Sequence, residues 1–331
     1  MNLRPLIHDV AAAFLIGWSR RRYRDQLRIL MFHGLTDQVH EGLENCQHKH
    51  LHVSRFEALM AHLAANYSVL SMDDVIERLQ NGTPLPPFPV VLTFDDGFCS
   101  NHDLAFPILQ RYGLPAIIYL ATQFVDENTP IWVDRVDYAI HQAARSREEL
   151  VAFKERLKAR PYAEILAEVS QLEEDTGFRL GQLAHSDVPT IYRALNWDQI
   201  REMARSGLVA FGSHTHSHLI LARAAPEVIR RELSESRALI ERETGLPCHH
   251  FCYPNGASGD FSTQSEQLLK EAGFRSSITT LGGMNPLPAS PFLLRRLGMT
   301  NDLRRMQIEQ YLAVGDSSFL GLLQAGAGDG S

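Results

Sequence analysis

The chain of 331 residues carries 39 acidic and 32 basic side chains, a net charge of −7, and is 44% hydrophobic. That is enough apolar material for one large α/β domain or two smaller ones, and it excludes a wholly disordered chain. The acidic balance gives no support to nucleic-acid binding, and four cysteines in so long a chain make no disulfide framework, which points to a reducing compartment.

Residues 1–27 contain an apolar run, Val10 to Trp18, followed by Ser19-Arg20-Arg21-Arg22. The run falls short of the roughly 18–20 residues a membrane-spanning helix needs. Its charges follow the apolar stretch, whereas a secretory signal places them before it. A basic amphipathic segment is expected here, either touching an anionic membrane or a partner, or packed on the domain with a solvated arginine end. The corresponding expectation for location is the cytoplasm, at the inner face of the membrane.

From residue 28 onward short apolar runs alternate with helical patterns. Candidate strands fall at 28–33, 67–70, 89–94, 115–120, 208–212, 249–253, 275–280 and 292–297. Runs such as Val90-Val91-Leu92 are continuously apolar, as parallel strands buried on both faces tend to be. Ser54-Arg55-Phe56-Glu57 reads as a capping box ahead of Phe56, Leu59, Met60 and Leu63 on one helical face. Asn196 caps a helix from Trp197 that stops at Gly207, and Thr263-Gln264-Ser265-Glu266 opens another that ends at Gly273. About eight strands alternating with helices predict an α/β fold, a (β/α) barrel or an open parallel sheet. The stretch 126–195 breaks the rhythm, being charged and helical without a clear strand, and reads as an insertion in a domain spanning 28–314. Residues 315–331, rich in Gly, Ala and Ser, read as a flexible tail.

Thr93-Phe94-Asp95-Asp96-Gly97 directly follows an apolar strand. Two adjacent carboxylates there are costly without a positive partner, and a bound metal would supply one. Neighbouring side chains point different ways, so one can ligate the metal while the other faces the space beside it. The competing reading is a solvated turn. Gly212-Ser213-His214-Thr215-His216-Ser217-His218 follows another candidate strand, and the four-residue spacing of His214 and His218 puts both imidazoles on one face. An aspartate with two histidines at strand C-termini is the ligand set of an open catalytic zinc or related site.

Thr-Phe-Asp-Asp-Gly followed downstream by His-Thr-x-x-His resembles the polysaccharide deacetylases of carbohydrate esterase family 4, the NodB-like domain, over about residues 28–296. The resemblance implies a distorted (β/α) barrel and metal-dependent removal of acetyl groups from N-acetylated sugars. It implies Asp96, His214 and His218 as metal ligands and Asp95 as the base that deprotonates the attacking water. Phe251-Cys252-Tyr253-Pro254-Asn255-Gly256 resembles the family's third motif, where a main-chain N–H, here that of Asn255, binds the oxyanion and Tyr253 and Pro254 border the substrate. Many members place an arginine where this chain has Cys252, and Arg295 or Arg296 is expected to supply that charge, with Arg295 taken first. A separate zinc site from Cys248, His250 and Cys252 lacks a fourth ligand.

The family's late Leu-x-His motif is missing, since no histidine follows His250. Ile29-Leu30-Met31-Phe32-His33-Gly34 resembles the amino-terminal segment of circularly permuted deacetylases, which implies His33 as the proton donor to the departing amine. Zinc is the expected ion, with cobalt or nickel as alternatives that Asp/His/His ligation does not separate. The expected substrate is an N-acetylated glycan or glycolipid. Trp132, in the insertion, either stacks on a sugar ring or packs the insertion against the barrel. The competing functions are an O-acetyl esterase or deformylase acting on sugars, and a glycan-binding barrel without turnover.

Overall fold

The computed structural model describes residues 22–301 and 305–315. Its first half contains β1 (Arg28–Phe32), β2 (Gly34–Thr36), β3 (His50–His52), α1 (Val53–Asn66), β4 (Ser68–Val69), α2 (Met72–Asn81), β5 (Pro89–Phe94), α3 (Phe106–Tyr112), β6 (Ala116–Leu120) and α4 (Thr122–Glu127). Then come α5 (Trp132–Gln142), α6 (Arg147–Lys158), α7 (Tyr162–Thr176) and α8 (Trp197–Arg205). The chain continues with β7 (Val209–Ser213), α9 (Pro226–Thr244), β8 (His250–Cys252), α10 (Thr263–Glu271), β9 (Ser276–Gly282), β10 (Leu294–Gly298) and α11 (Arg305–Val314).

Seven strands close a parallel barrel in the order β1-β10-β9-β8-β7-β6-β5, with β1 pairing back onto β5, and β4 adds an eighth strand outside the ring. A shift of register between β9 and β10 distorts the ring. The eight expected strands are all present. The short parallel pair β2–β3 was not foreseen, because three residues are too few for a periodic signal.

Alternation along each strand divides the core into two layers. Ile29, Val91, Ile117, Tyr119, Cys252, Ile278 and Leu294 point into the barrel, where Met72, Val75 and Ile76 of α2 join them. Leu30, Phe32, Leu92, Phe94 and Ile118 point outward under the helices. Gly212 keeps the interior open, since a Cβ there would lie 2.6 Å from the Tyr119 ring.

Helix α1 buries the expected Phe56, Leu59, Met60 and Leu63, but it starts at Val53 with His52 as its cap, whose ring accepts the Ser54 N–H. The serine box is therefore displaced by a residue two positions earlier. Asn196 caps α8 as read from the sequence, and Gln199 completes a reciprocal box that the reading did not include. Segment 126–195 folds as α5, α6 and α7 with short 3₁₀ turns, around its own core of Trp132, Val136, Ile140, Leu150, Leu157, Ile165 and Val169. Among the described residues no helix is long and apolar enough to cross a membrane. The basic segment expected at 1–27 lies almost wholly outside the described residues, as does the tail expected at 315–331.

Candidate metal centre and active site

The interior-facing positions run out of the barrel at its C-terminal rim, and there they turn polar. Ile29 and Met31 lead to His33, Val91 and Thr93 to Asp95, Ala210 and Gly212 to His214, and Leu294 to Arg296. The register Phe32↔Phe94 sets His33 beside Asp95, and the Asp95 N–H donates to Phe32 O over 3.0 Å. A cavity of about 270 Å³ opens here, walled in part by His33, Asp95, Asp96, His214, His218 and Asn255. Barrel active sites form at this end because the loops leaving the strands converge on it.

Asp95 and Arg296 form a buried bidentate pair, with Nη1 2.8 Å from Oδ1 and Nη2 2.7 Å from Oδ2. Thr93 Oγ1 accepts a further Arg296 bond, and Thr279 O accepts Nε. Burial alone would raise the Asp95 carboxyl, but the guanidinium outweighs it and holds the group below the usual carboxylate range. The expectation for Arg295 is corrected: it points out of the barrel and donates to Gly282 O. Strand alternation gives the reason, since only Arg296 shares the inward parity of Leu294. Cys252 leaves space for this arginine, whose Nη2 lies 3.2 Å from its thiol.

Asp96 follows at φ +73°, a left-handed turn that brings its side chain back to the cavity, where strand alternation alone would not place it. Gly97 completes the turn at φ +94°, where a Cβ would lie 2.8 Å from Leu120. Asp96 Oδ1 then stands 3.4 Å from His214 Nε2 and 3.3 Å from His218 Nε2, all three residues being buried. Oδ1 has no hydrogen-bond partner. Two ligand atoms about 2.1 Å from one tetrahedral ion stand about 3.4 Å apart, so the three donors fit a divalent metal. His214 Nδ1 bonds Cys252 O at 2.8 Å, which leaves Nε2 as the free donor. Burial pushes the Asp96 carboxyl up, yet the Lys49 ammonium and both imidazoles hold it well below its ordinary value.

The two histidines lie on one tight loop with Thr215 and His218 at positive φ. Glu232, on α9, ties that loop down by accepting the N–H groups of His216 and Ser217 and the Ser217 hydroxyl, each at 2.8 Å. His216 points elsewhere, its Nδ1 2.9 Å from Thr122 Oγ1. Sequence reasoning missed Glu232, although an acid among the buried positions Ile229, Leu233 and Ser236 of an amphipathic helix is a signal. It also missed Lys49 and Asp134, which no periodic pattern marks.

Burial outweighs the attraction of Asp96 and Asp95 and lowers the His33 imidazole to about 4. Asn255 sits at φ +59° with its side-chain amide on Asp260. Tyr253 borders the cavity, its ring packed against Phe251 and Phe261, whereas Pro254 is buried and is not among the wall residues. Trp132 is only 2% exposed and belongs to the insertion core, so of the two readings packing is the one the structure gives, with the residue also contributing to the cavity wall. The separate zinc site at Cys248, His250 and Cys252, disfavoured for want of a fourth ligand, is not assembled: His250 is committed to Ser276 and Asp73, and Cys252 faces Arg296.

A parallel barrel whose C-terminal rim gathers a carboxylate, two imidazoles and a second, ion-paired carboxylate defines a hydrolase-type site able to hold one metal ion. The polysaccharide deacetylase family model matches residues 82–277, and the chain belongs to that family. It is 30% identical over 153 residues to the poly-beta-1,6-N-acetyl-D-glucosamine N-deacetylase of Escherichia coli (strain K12). That alignment spans 46% of this chain and 16% of the relative, so the likeness is to one part of that longer protein. Among solved structures, a Streptococcus pyogenes deacetylase, PplD, in complex with acetate superposes with a TM-score of 0.62 at 18% identity, covering 87% of this chain and 99% of its own. IcaB from Ammonifex degensii gives 0.59 at 18% identity, covering 88% and 98%. At these identities the two structures support the barrel fold alone.

Proposed function

We propose that this chain hydrolyses the N-acetyl groups of amino sugars in a glycan, releasing acetate, with a divalent ion held by Asp96, His214 and His218. The observation that carries this is the meeting of Asp96 Oδ1 with two imidazole Nε2 atoms within 3.4 Å, beside the Asp95–Arg296 pair. Zinc is the ion of choice, with cobalt and nickel as the alternatives. When bound, such an ion polarises the acetyl carbonyl and lowers the pKa of water towards about 7.

The chain's own residues divide the remaining work. Asp95, kept ionised and immobile by Arg296, takes the proton of the attacking water. The main-chain N–H of Asn255 donates to the carbonyl oxygen as negative charge builds on it. His33 delivers a proton to the departing sugar nitrogen. In the free chain burial keeps this imidazole neutral near pH 7, so as a donor His33 must first take up a proton, which the neighbouring Asp96 and Asp95 carboxylates favour. His33 precedes Asp95 in the chain but ends the strand beside β5, the place a late strand's histidine would take in a permuted order.

The test is a mass-spectrometric screen of the metal-loaded chain against N-acetylglucosamine oligomers, with O-acetylated, N-formylated and lipid-linked sugars as comparison arms. Acetate release from the N-acetylated oligomers supports the proposal. Release of formate alone, or turnover of esters alone, would replace it with a deformylase or an esterase. Binding of oligomers without turnover at any ion would make the barrel a glycan-binding module.

A further inference from the structure

The steps above give no part to Lys49, a cation on the cavity wall. Lys49 lies in the segment between β2 and β3, outside every motif. Its Nζ is 2.9 Å from Asp96 Oδ2 and 2.9 Å from Asp134 Oδ1, and 4.6 Å from the centre of the Phe98 ring. Asp134 belongs to the first turn of α5, in the insertion, and is fully buried. The two oxygens of Asp96 are therefore not equivalent. Oδ2 is bonded to the ammonium, whereas Oδ1 has no hydrogen bond and lies against the two imidazoles.

We propose that Lys49 is a positioning residue that confines Asp96 to coordination through one oxygen, and that Asp134 anchors Lys49 for that task. The proposal rests on Asp96, His214 and His218 being the ligands. A carboxylate with both oxygens free can chelate an ion through the pair. Chelation would fill a position that a hydrolytic centre keeps open for water and substrate. An ammonium on Oδ2 occupies the second oxygen and repels a cation approaching from that side. It cannot swing away, because a second carboxylate and an aromatic face hold it as well. Residue 134 thus connects the insertion to the coordination of the ion, a role distinct from lining the cavity.

Cobalt(II) in the full-length chain reads coordination directly, because its visible absorption weakens as its coordination number rises. Lys49→Met alone would strand Asp134 as a buried carboxylate without a countercharge, so it is combined with Asp134→Asn. The double variant is expected to bind cobalt at least as tightly as the parent, with visible absorption reduced severalfold and kcat lower by about 10–100-fold. Asp134→Asn alone keeps an amide oxygen for Lys49 to donate to, and it should retain the parental spectrum. Lys49→Arg should retain it too, as the conservative rescue. A parental spectrum in the double variant, or loss of its cobalt binding, overturns the proposal. Failure of the parent chain itself to bind cobalt would instead overturn the ligand assignment on which it rests.

Discussion

The barrel and the insertion meet at the cavity, and they reach it by different physics. Each barrel strand is covered on both faces, so its alternation assigns every side chain to the interior or to the helix layer. Following the interior parity upward delivers His33, Asp95, His214 and Arg296 to one rim without further instruction. The insertion buries an apolar core of its own, in α5, α6 and α7. Its polar contacts at the rim include Asp134 to Lys49 and the Tyr162 hydroxyl to Ser217 O. The barrel thus sets which donors converge, while the insertion acts on how two of them are held. Damage to the two regions should separate into different measurements.

The largest effect belongs to the rim itself. In a zinc site worth roughly 10–16 kcal/mol in all, each of three ligands carries about 4 kcal/mol, close to a thousandfold in Kd. Asp96→Asn or His214→Ala is therefore expected to weaken zinc about a thousandfold in a chelator competition. Asp95→Asn should retain the ion and lose turnover. Next in size, Arg296→Met leaves Asp95 as a buried unpaired carboxylate, and urea unfolding should show a loss of about 3–5 kcal/mol. A loss below about 1 kcal/mol would mean that water reaches Asp95 and that the pair is not sealed. Leu150→Ala, in the insertion core, should cost about 2–5 kcal/mol through the cavity it leaves, with zinc affinity unchanged. A parallel fall in zinc affinity would break the division between the two regions. Glu232→Gln removes the charge that anchors the histidine loop, and zinc should weaken by about 10–100-fold with a loss of about 1.5–3 kcal/mol in urea unfolding.

How much of this was legible in the sequence follows from the same contrast. The run Val90-Val91-Leu92 announced a strand buried on both faces, and the residues after it, Asp95 and Asp96, were visible as a pair needing a cation. The roles of the two came from the family resemblance and not from strand alternation, because a positive φ at Asp96 reverses the direction that alternation would give it. Parity does distinguish Arg296 from Arg295, but only once Leu294 is known to face inward, which depends on the register with β9. Lys49 and Asp134 lie far apart in sequence, in a loop and at a helix start, so no local pattern couples them. Their pairing exists only through the folded insertion. Burial also raises Asp134 to about 6 despite the lysine, a consequence of enclosure that composition cannot express.

The smallest predicted effect probes the contact where the comparison is least one-sided. Tyr162, at the start of α7, donates its hydroxyl over 2.8 Å to the carbonyl of Ser217, the residue preceding His218. Tyr162→Phe keeps the ring and deletes one hydrogen bond, which contributes about 0.5–1.5 kcal/mol net. If Glu232 alone fixes the histidine loop, the variant should lose about that much stability in urea and keep its zinc affinity within about threefold, or roughly 0.7 kcal/mol of binding. The loop has three bonds to the Glu232 carboxylate against one to this tyrosine, and bonds to a charged acceptor are the stronger kind. A tenfold weakening of zinc with unchanged unfolding would reverse that ranking. It would make the insertion a second support of the ligand loop, in addition to its hold on Lys49.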